Sequence, residues 1–140
     1  GSAVTISWLP NGSVCDDANG CTVSDVCASG SCTGTPIVAP GEVHGLAIQP
    51  DKTTLVWTSV GGSGAATAYD LPRGLISQLP VGSGGGEVCL GTVAAPTTQD
   101  ASSPTAGSGF WYLVRGRNSC GAGGYGTASN GSPRITTACP

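Results

Sequence analysis

The cysteine content constrains the fold of this 140-residue chain more than any other sequence feature. There are seven cysteines, namely Cys15, Cys21, Cys27, Cys32, Cys89, Cys120 and Cys139. Their spacing does not match the paired Cys-x-x-Cys or Cys/His patterns of zinc sites, and His44 is the only histidine. We therefore interpret the cysteines as disulfide-forming residues. Because disulfides persist in oxidising compartments, the sequence predicts an extracellular or cell-surface protein.

The segment 110–118 is the clearest strand pattern in the chain, because its side chains separate into two faces at period two. One face carries Phe110, Tyr112, Val114 and Gly116, and the other carries Trp111, Leu113, Arg115 and Arg117. Upstream, Leu55 and Trp57 share one face of a second strand pattern, and Tyr69 and Leu71 share one face of a third. These alternations predict a sheet protein with one buried face per strand.

The same patterns resemble a fibronectin type III domain over about residues 40–139. The resemblance consists of Leu-x-Trp on the second strand, Tyr-x-hydrophobic on the third, and Tyr-x-Val-x-small-x-Asn on the sixth, which ends at Asn118. It implies an all-β, immunoglobulin-like sandwich with Trp57, Tyr69, Tyr112 and Val114 in one core. The candidate strands are 43–49, 53–59, 66–73, 75–81, 87–94, 109–118 and 125–137. Pro72 falls within the third of these, and we expect the edge there to be bulged or only partly hydrogen-bonded.

Composition divides the chain into four parts. These are an N-terminal extension strand at 1–14, a disulfide-stapled acidic module at 15–32, a linker at 33–41 and the sandwich at 42–140. Within the acidic module only Val23 and Val26 are sizeable apolar residues. Such a segment buries too little apolar surface to fold alone, so covalent links must hold it as a small knot.

Two disulfides inside the module are the simplest way to staple it. Four cysteines allow three connectivities, and sequence alone does not decide among them. We favour Cys15 with Cys27 and Cys21 with Cys32, because these pairs close loops of comparable length.

The resemblance also implies a disulfide in the sandwich. In the resembled topology the start of the fifth strand lies beside the end of the sixth, which pairs Cys89 with Cys120. Cys139 is then left over, either unpaired or free to bond a neighbouring molecule. A bond from Cys139 to the module stays open if one of the module's four cysteines is not paired internally.

Four oxygen-bearing side chains of the module suggest a calcium site. Asp16, Asp17, Asn19 and Asp25 fall within ten residues around a glycine turn. Ca²⁺ takes six to eight oxygen ligands from carboxylates, amides and carbonyls, so these residues would form part of a site. The loop is loosely similar to the calcium loops of thrombospondin type 3 repeats, although it lacks their dense Asp-x-Asp-x-Asp run. The alternative is that Asp16 and Asn19 cap turns.

The sequence favours a protein that is not an enzyme. His44 lies near the start of a predicted strand, and no nucleophile motif such as Gly-x-Ser-x-Gly occurs. A glycosidase needs two carboxylates facing each other across a cleft. The carboxylates of the main domain are instead scattered over predicted turns and strand ends, and they are Glu42, Asp51, Asp70, Glu87 and Asp100.

The outward face of the segment 110–118 is the candidate binding surface. Trp111, Arg115 and Arg117 could bind a glycan or a surface partner, or they could simply cover the sheet and contact loop carbonyls. With a net charge of −3 and no other basic cluster, the chain is not expected to bind nucleic acid. No apolar run approaches the ~20 residues that cross a membrane.

The N-terminal extension supplies a strand without a local partner. Val4, Ile6 and Trp8 alternate with Thr5, Ser7 and Leu9, and the turn that begins at Pro10 ends the strand. We expect a non-catalytic, extracellular structural protein whose strand adds to the sheet of a neighbouring copy, making a surface filament. Alternatively, the strand folds back onto its own sandwich. The competing function is a monomeric adhesion or ligand- and glycan-binding module of a larger secreted protein.

Overall fold

A computed structural model describes residues 1, 8–61 and 65–140. These residues form ten β-strands and one 3-10 turn, and none of them lies in an α-helix. The strands are β1 Thr22–Ala28, β2 Ser31–Pro36, β3 Ala47–Ile48, β4 Thr54–Val56, β5 Ala68–Leu75, β6 Val88–Val93, β7 Thr97–Gln99, β8 Phe110–Tyr112, β9 Arg115–Asn118 and β10 Gly121–Ala122. No helix in this part of the chain is long and apolar enough to cross a bilayer.

Strands β1 and β2 form an antiparallel hairpin that contains most of the predicted acidic module. The segment before it lies along the other edge of β1, where Val14 forms an isolated antiparallel bridge with Val26. The hairpin extends to Pro36, so the predicted linker at 33–41 begins inside a strand. The residues of β2 alternate in exposure, but they include no large apolar side chain. Sequence periodicity therefore does not predict this strand.

The rest of the strands form two sheets, in agreement with the predicted all-β sandwich. One sheet has the order β3-β4-β7, and the other has the order β10-β9-β5-β6, with β8 also paired to β5. All of these pairs are antiparallel. Antiparallel sheets with one buried face each are what the period-two patterns predict.

The core between the sheets contains the residues that the alternating patterns indicate. The cluster of buried side chains is Val43, Leu55, Trp57, Tyr69, Leu71 and Val114, and Tyr112 packs against it. The ring of Trp57 meets that of Tyr69 edge to face, with centroids 5.3 Å apart. This arrangement suits aromatic quadrupoles. The prediction that Trp57, Tyr69, Tyr112 and Val114 share one core is therefore confirmed.

Two of the predicted strands are wrong, and one strand of the structure was not predicted. The segment 75–81 turns out of the sheet through a 3-10 turn at Ile76–Gln78 and a cis peptide bond before Pro80. The segment 125–137 contributes only an isolated bridge between Thr127 and Pro133. A polar strand, Thr97–Gln99, pairs with β4 instead. Its side chains carry no apolar alternation, so the sequence pattern does not predict it.

Pro72 lies where the sequence indicates an irregular strand, and the register of β5 against β6 shifts between Asp70 and Pro72. The shift places one extra residue on β6, where Gly91 has φ +132°. A proline cannot donate to the ladder, so a bulge at this point is its expected accommodation. The predicted bulge is confirmed, although β5 lies inside its sheet rather than at the edge.

The predicted disulfide pairings inside the module are wrong. Cys15 is bonded to Cys32, Cys21 is bonded to a cysteine outside the module, and Cys27 is a buried free thiol. The prediction from comparable loop lengths assumed that all four cysteines pair within the module. In the structure Cys21 precedes β1 at the end of the hairpin that faces the sandwich, so its partner is a distant residue.

The predicted pairing of Cys89 with Cys120 is also wrong. Cys120 bonds Cys21, and Cys89 bonds Cys139, so Cys139 is neither unpaired nor available to a neighbour. The strand that holds Cys89 is the fourth of the sandwich rather than the fifth. Because β6 ends its sheet on the side opposite β9 and β10, Cys89 and Cys120 lie at opposite edges.

Two of the three predicted assembly residues, Val4 and Ile6, lie outside the described residues. Trp8 is described, and 73% of its surface is exposed. Its ring lies beside Gly30 in the turn between β1 and β2. The C-terminal end of the predicted assembly strand therefore lies at the tip of the hairpin, and most of the indole surface is open to solvent.

Candidate functional site

The acidic loop is built from a series of side chains that cap their own backbone. Asp16 Oδ1 accepts a hydrogen bond from Ala18 N at 2.8 Å, and Asn19 Oδ1 accepts one from Cys21 N at 3.0 Å. Asp17 Oδ1 accepts from Asn19 N at 2.8 Å. Such i to i+2 bonds are Asx turns, which Asp and Asn form readily. They account for one oxygen on each of the three residues.

The carboxylates of this loop converge with one from β1. Asp16, Asp17 and Asp25 each place an oxygen within 4.8 Å of the other two. Asp25 Oδ2 accepts from Asp17 N at 3.2 Å, which ties the loop to the strand. Asp25 Oδ1 is buried and has no hydrogen-bond partner in the described part of the chain. The predicted residues Asp16, Asp17 and Asp25 are thus brought together, while the side-chain oxygen of Asn19 faces Cys21 N.

Gly34 makes room for the Asp25 carboxylate. A Cβ atom at position 34 would collide with Asp25 Oδ1, so the opposite strand admits only glycine there. Sequence reasoning did not identify Gly34 as part of this site. The signal that could have found it is a glycine inside a strand, which often marks a place where another group approaches the backbone.

Hydrogen bonds hold the pKa of Asp17 below its ordinary value. The main cause is the bond from Asn19 N, followed by the bond from the Thr22 hydroxyl at 2.9 Å. Both donors stabilise the ionised form. Asp17 is therefore a carboxylate at neutral pH, as a ligand for a hard cation must be.

The predicted binding face is occupied by contacts within the chain. Asp70 is fully buried, and its carboxylate accepts from Arg115 Nε at 2.9 Å and from the Thr92 hydroxyl at 2.7 Å. Arg117 Nη1 lies 3.5 Å from the same carboxylate. Burial of a carboxylate is tolerated only where such partners replace water.

The two arginines also hold the C-terminal segment. Arg115 Nη2 donates to Cys139 O at 3.0 Å, and Arg117 Nη1 donates to Pro140 O at 3.1 Å. The Arg115 guanidinium lies 4.8 Å from the ring centroid of Tyr125, which is within the range of a cation–π contact. Burial raises the pKa of Tyr125 to about 12. These contacts fit the alternative in which the arginines cover the sheet and bind loop carbonyls.

Trp111 belongs to a different contact. Its Cα partner across the ladder is Gly74, and a Cβ atom at position 74 would collide with the indole ring. The ring therefore lies on the backbone of β5. Trp111 is half-buried, and its Nε1 is buried without a hydrogen-bond partner in the described chain.

Asp100 occupies a second arginine site. Arg73 Nη1 lies 2.6 Å from Asp100 Oδ2, and the Tyr112 hydroxyl donates to the same oxygen at 3.1 Å. The Arg73 guanidinium covers the ring of Phe110 at 4.2 Å. Asp70 and Asp100 thus form two separate ion pairs with arginines of the larger sheet.

A surface groove of about 640 Å³ lies between the loop after the 3-10 turn and the turn at 127–134. Its apolar wall includes Leu79, Pro80 and Val81, and its polar groups include Asn130 and Arg134. Sequence reasoning treated these stretches as a strand each and so did not anticipate a groove.

Comparisons with protein-family models, with curated proteins and with solved structures found no match to this chain.

Proposed function

We propose that this protein is a non-catalytic, extracellular structural subunit that assembles into a filament through its N-terminal strand. The donor is the alternating segment Val4 to Leu9, and the acceptor is a sheet edge of a neighbouring copy. Strand addition satisfies main-chain groups and gives the apolar side chains pockets to fill. A donor and an acceptor at different places on the molecule make a heterologous contact, which propagates unless it closes a ring.

The exposure of Trp8 is the observation that carries this proposal. If the strand folded back onto its own sandwich, the large apolar side chains at its C-terminal end would be covered by that sandwich. Instead 73% of the Trp8 surface is exposed, as is 58% of Leu9. Two adjacent apolar residues left in water favour a partner molecule that covers them.

Outer strands provide edges to which such a strand can add. β6 ends its sheet, and its outer edge has no backbone partner among the described residues. It is the longest outer strand of the two sandwich sheets, with six residues. It therefore offers the most main-chain groups to a six-residue donor.

Deletion of residues 1–9 tests the assembly. We expect the native protein to form filaments by electron microscopy and the shortened chain to stay monomeric by sedimentation. Filaments of unchanged length and number after the deletion would contradict the proposal. A shortened chain that stays in the original oligomeric state but melts at a lower temperature would instead identify an intramolecular strand.

A matched pair of variants separates the apolar face from the rest of the strand. Val4→Lys with Ile6→Lys places charges on the face that is proposed to fill pockets, whereas Thr5→Lys with Ser7→Lys places the same charges on the other face. We expect only the first pair to abolish assembly. Equal loss in both pairs would show that charge, rather than the apolar face, controls association.

For the fold, we propose a fibronectin type III-like sandwich. The Leu-x-Trp pattern begins in the second sandwich strand, Tyr69 lies in the third, and Tyr112 begins the pattern that ends at Asn118. That order supports the resemblance. An experimental structure with a different connection between the two sheets would exclude it.

For the acidic loop, we propose Ca²⁺ as a structural ligand of Asp16, Asp17 and Asp25. The convergence of three carboxylates and the unpartnered oxygen of Asp25 favour a cation over turn capping alone. Calorimetric titration with CaCl₂ should show binding that Asp25→Asn weakens and that Asp51→Asn, in a remote turn, leaves unchanged. Equal heats for the native protein and Asp25→Asn would favour the capping role.

The groove supports the second function, a monomeric ligand- or glycan-binding module. Asn130 and Arg134 supply hydrogen-bond donors beside an apolar wall, which is a common composition of small-molecule sites. Glycan-array binding that Arg134→Ala abolishes, in a protein that stays monomeric, would favour this function over assembly.

A further inference from the structure

The buried free thiol of Cys27 lies opposite one end of a disulfide. Cys27 and Cys32 are Cα partners in the register of β1 with β2, and Cys32 is bonded to Cys15. Directly opposed residues in an antiparallel ladder point to the same face of the sheet. The module therefore gathers three cysteines, of which two are bonded to each other and the third carries a free thiol.

The hydrogen-bond pattern of β1 defines how close the two cysteines are. Gly12 N donates to Cys27 O and Cys27 N donates to Ser13 O, both at 2.8 Å. Both main-chain groups of Cys27 point away from β2, so Cys27 and Cys32 form a non-hydrogen-bonded pair. In such a pair the Cα atoms lie about 4.5 Å apart and the side chains are at their closest. That separation is within the range over which a disulfide forms without moving the backbone.

We propose that the module exchanges its disulfide internally, moving the free thiol from Cys27 to Cys15. The Cys27 thiolate attacks Cys32 Sγ, a Cys27–Cys32 bond forms, and the Cys15–Cys32 bond breaks. Cys15 leaves as a thiolate and takes a proton, while the proton lost from Cys27 goes to solvent. One disulfide and one thiol are present before and after the step, so no oxidant or reductant is needed.

The exchange changes what holds the acidic loop. In the described state the Cys15–Cys32 bond fixes the start of that loop to β2. After exchange the hairpin keeps a bond between β1 and β2, but the segment through Asp16 and Asp17 is tied only by its hydrogen bonds and by Cys21. The thiol also moves from a buried position to the half-buried position 15. The switch thus loosens the loop and exposes a thiol together.

Thiol mapping tests the exchange in the full chain. The protein is held at a series of pH values from about 6 to about 9 without reductant, quenched in acid, denatured, labelled with a maleimide and digested. Since the thiolate is the attacking species, we expect label on Cys27 at low pH and about a tenth or more on Cys15 at high pH. Label confined to Cys27 at every pH would overturn the proposal, and label on Cys32 would overturn the assignment of the attacked sulfur.

Two variants make the result specific. In Cys27→Ser the nucleophile is absent, so Cys15 should stay unlabelled at high pH. In Cys15→Ser the thiols of Cys27 and Cys32 are both free, and oxidised glutathione should join them into one disulfide. Two free or glutathione-capped thiols in Cys15→Ser would contradict the geometry, even if Cys27→Ser failed to fold. A rate of label transfer that is independent of protein concentration shows that the exchange is intramolecular.

Discussion

The hairpin and the sandwich are stabilised by different interactions. The sandwich buries six apolar or aromatic residues in one cluster, whereas the buried apolar residues of the described segment 8–37 are Cys27 and Ile37. A short hairpin with so little apolar surface is marginal in water. Cross-links and side-chain hydrogen bonds replace the missing core, and the comparison shows how one chain uses both solutions.

The two regions meet at a small junction. Cys21 bonds Cys120, which lies in the turn between β9 and β10. Asn118 Nδ2 donates to Val38 O at 2.8 Å beside this bond, and Cys120 N donates to Asn118 Oδ1 at 2.9 Å. The disulfide thus fixes the hairpin to the edge of the larger sheet, and the asparagine fixes the segment that follows the hairpin. Asn118, the last residue of the strand pattern described from the sequence, therefore stabilises the junction.

Of the changes that test this division, removal of the junction disulfide should have the largest effect on the free energy of unfolding. The Cys21–Cys120 bond spans 99 residues, and the chain-entropy model gives about 4–5 kcal/mol for a loop of this length. We expect Cys21→Ser with Cys120→Ser to lower the free energy of unfolding in urea by that amount. As a control, Cys15→Ser with Cys32→Ser opens a loop of 17 residues and should cost about 3 kcal/mol, confined to hairpin amides in hydrogen exchange. Equal losses would show that the long loop is already restricted in the unfolded chain.

Removal of an aromatic core residue should have the second-largest effect on the free energy of unfolding. Trp57 is 6% exposed and packs against Tyr69, so Trp57→Ala leaves a cavity that should cost about 4 kcal/mol. Trp8→Ala is the matched control in the hairpin region. Because Trp8 is mostly exposed, its loss should change the stability of the monomer by less than about 0.5 kcal/mol. A comparable loss for both variants, in urea unfolding of monomeric protein, would refute the division between a core-stabilised and a cross-linked region.

Removal of the buried carboxylate of Asp70 should lower the free energy of unfolding by a slightly smaller amount. Asp70→Ala leaves Arg115 without its anion, and breaking a buried pair costs about 3–5 kcal/mol. Since the Arg115 side chain keeps 19% exposure, we expect about 3 kcal/mol by urea unfolding. Arg117→Ala is the control, because that side chain is 41% exposed and its contact should contribute about 1 kcal/mol or less. If both variants lose the same amount, the arginines act as one unit.

Sequence patterns predicted the sandwich core because its determinants are local. Leu55, Trp57, Tyr69 and Val114 each lie in a strand or beside one, and period-two alternation reports which face is buried. The bulge near Pro72 was predictable for the same reason, since a missing donor acts at its own position.

The cross-links were not predictable from the same patterns. A pairing such as Cys21 with Cys120 depends on how the hairpin docks, and no local property of either residue reports that docking. The acidic loop was predicted in part. Its carboxylates do converge, but the role of Gly34 and the capping geometry follow from the register of β1 with β2, which periodicity did not reveal.

The smallest expected effect is the pH dependence of stability that two aspartates contribute, one in each region. In the sandwich, the pKa of Asp51 is lowered to about 2, mainly by the Thr54 hydroxyl and then by the amides of Thr54 and Thr53. In the hairpin, the pKa of Asp17 is lowered, mainly by Asn19 N. A carboxyl whose pKa is lower in the folded chain contributes stability that is present above its unfolded pKa of about 3.9 and is lost as pH falls through the folded value.

We therefore expect stability to decrease between about pH 4 and pH 2, with the Asp51 part lost last because its folded pKa lies near the bottom of that range. Asp51→Asn should flatten this decrease in urea unfolding of the sandwich, and Asp17→Asn should flatten it only in hydrogen exchange of hairpin amides. Direct titration of both carboxyls by NMR gives the check on cause. If Thr54→Val left the Asp51 pKa near 2, the hydroxyl would not be its main determinant, and the turn amides alone would have to stabilise the charge.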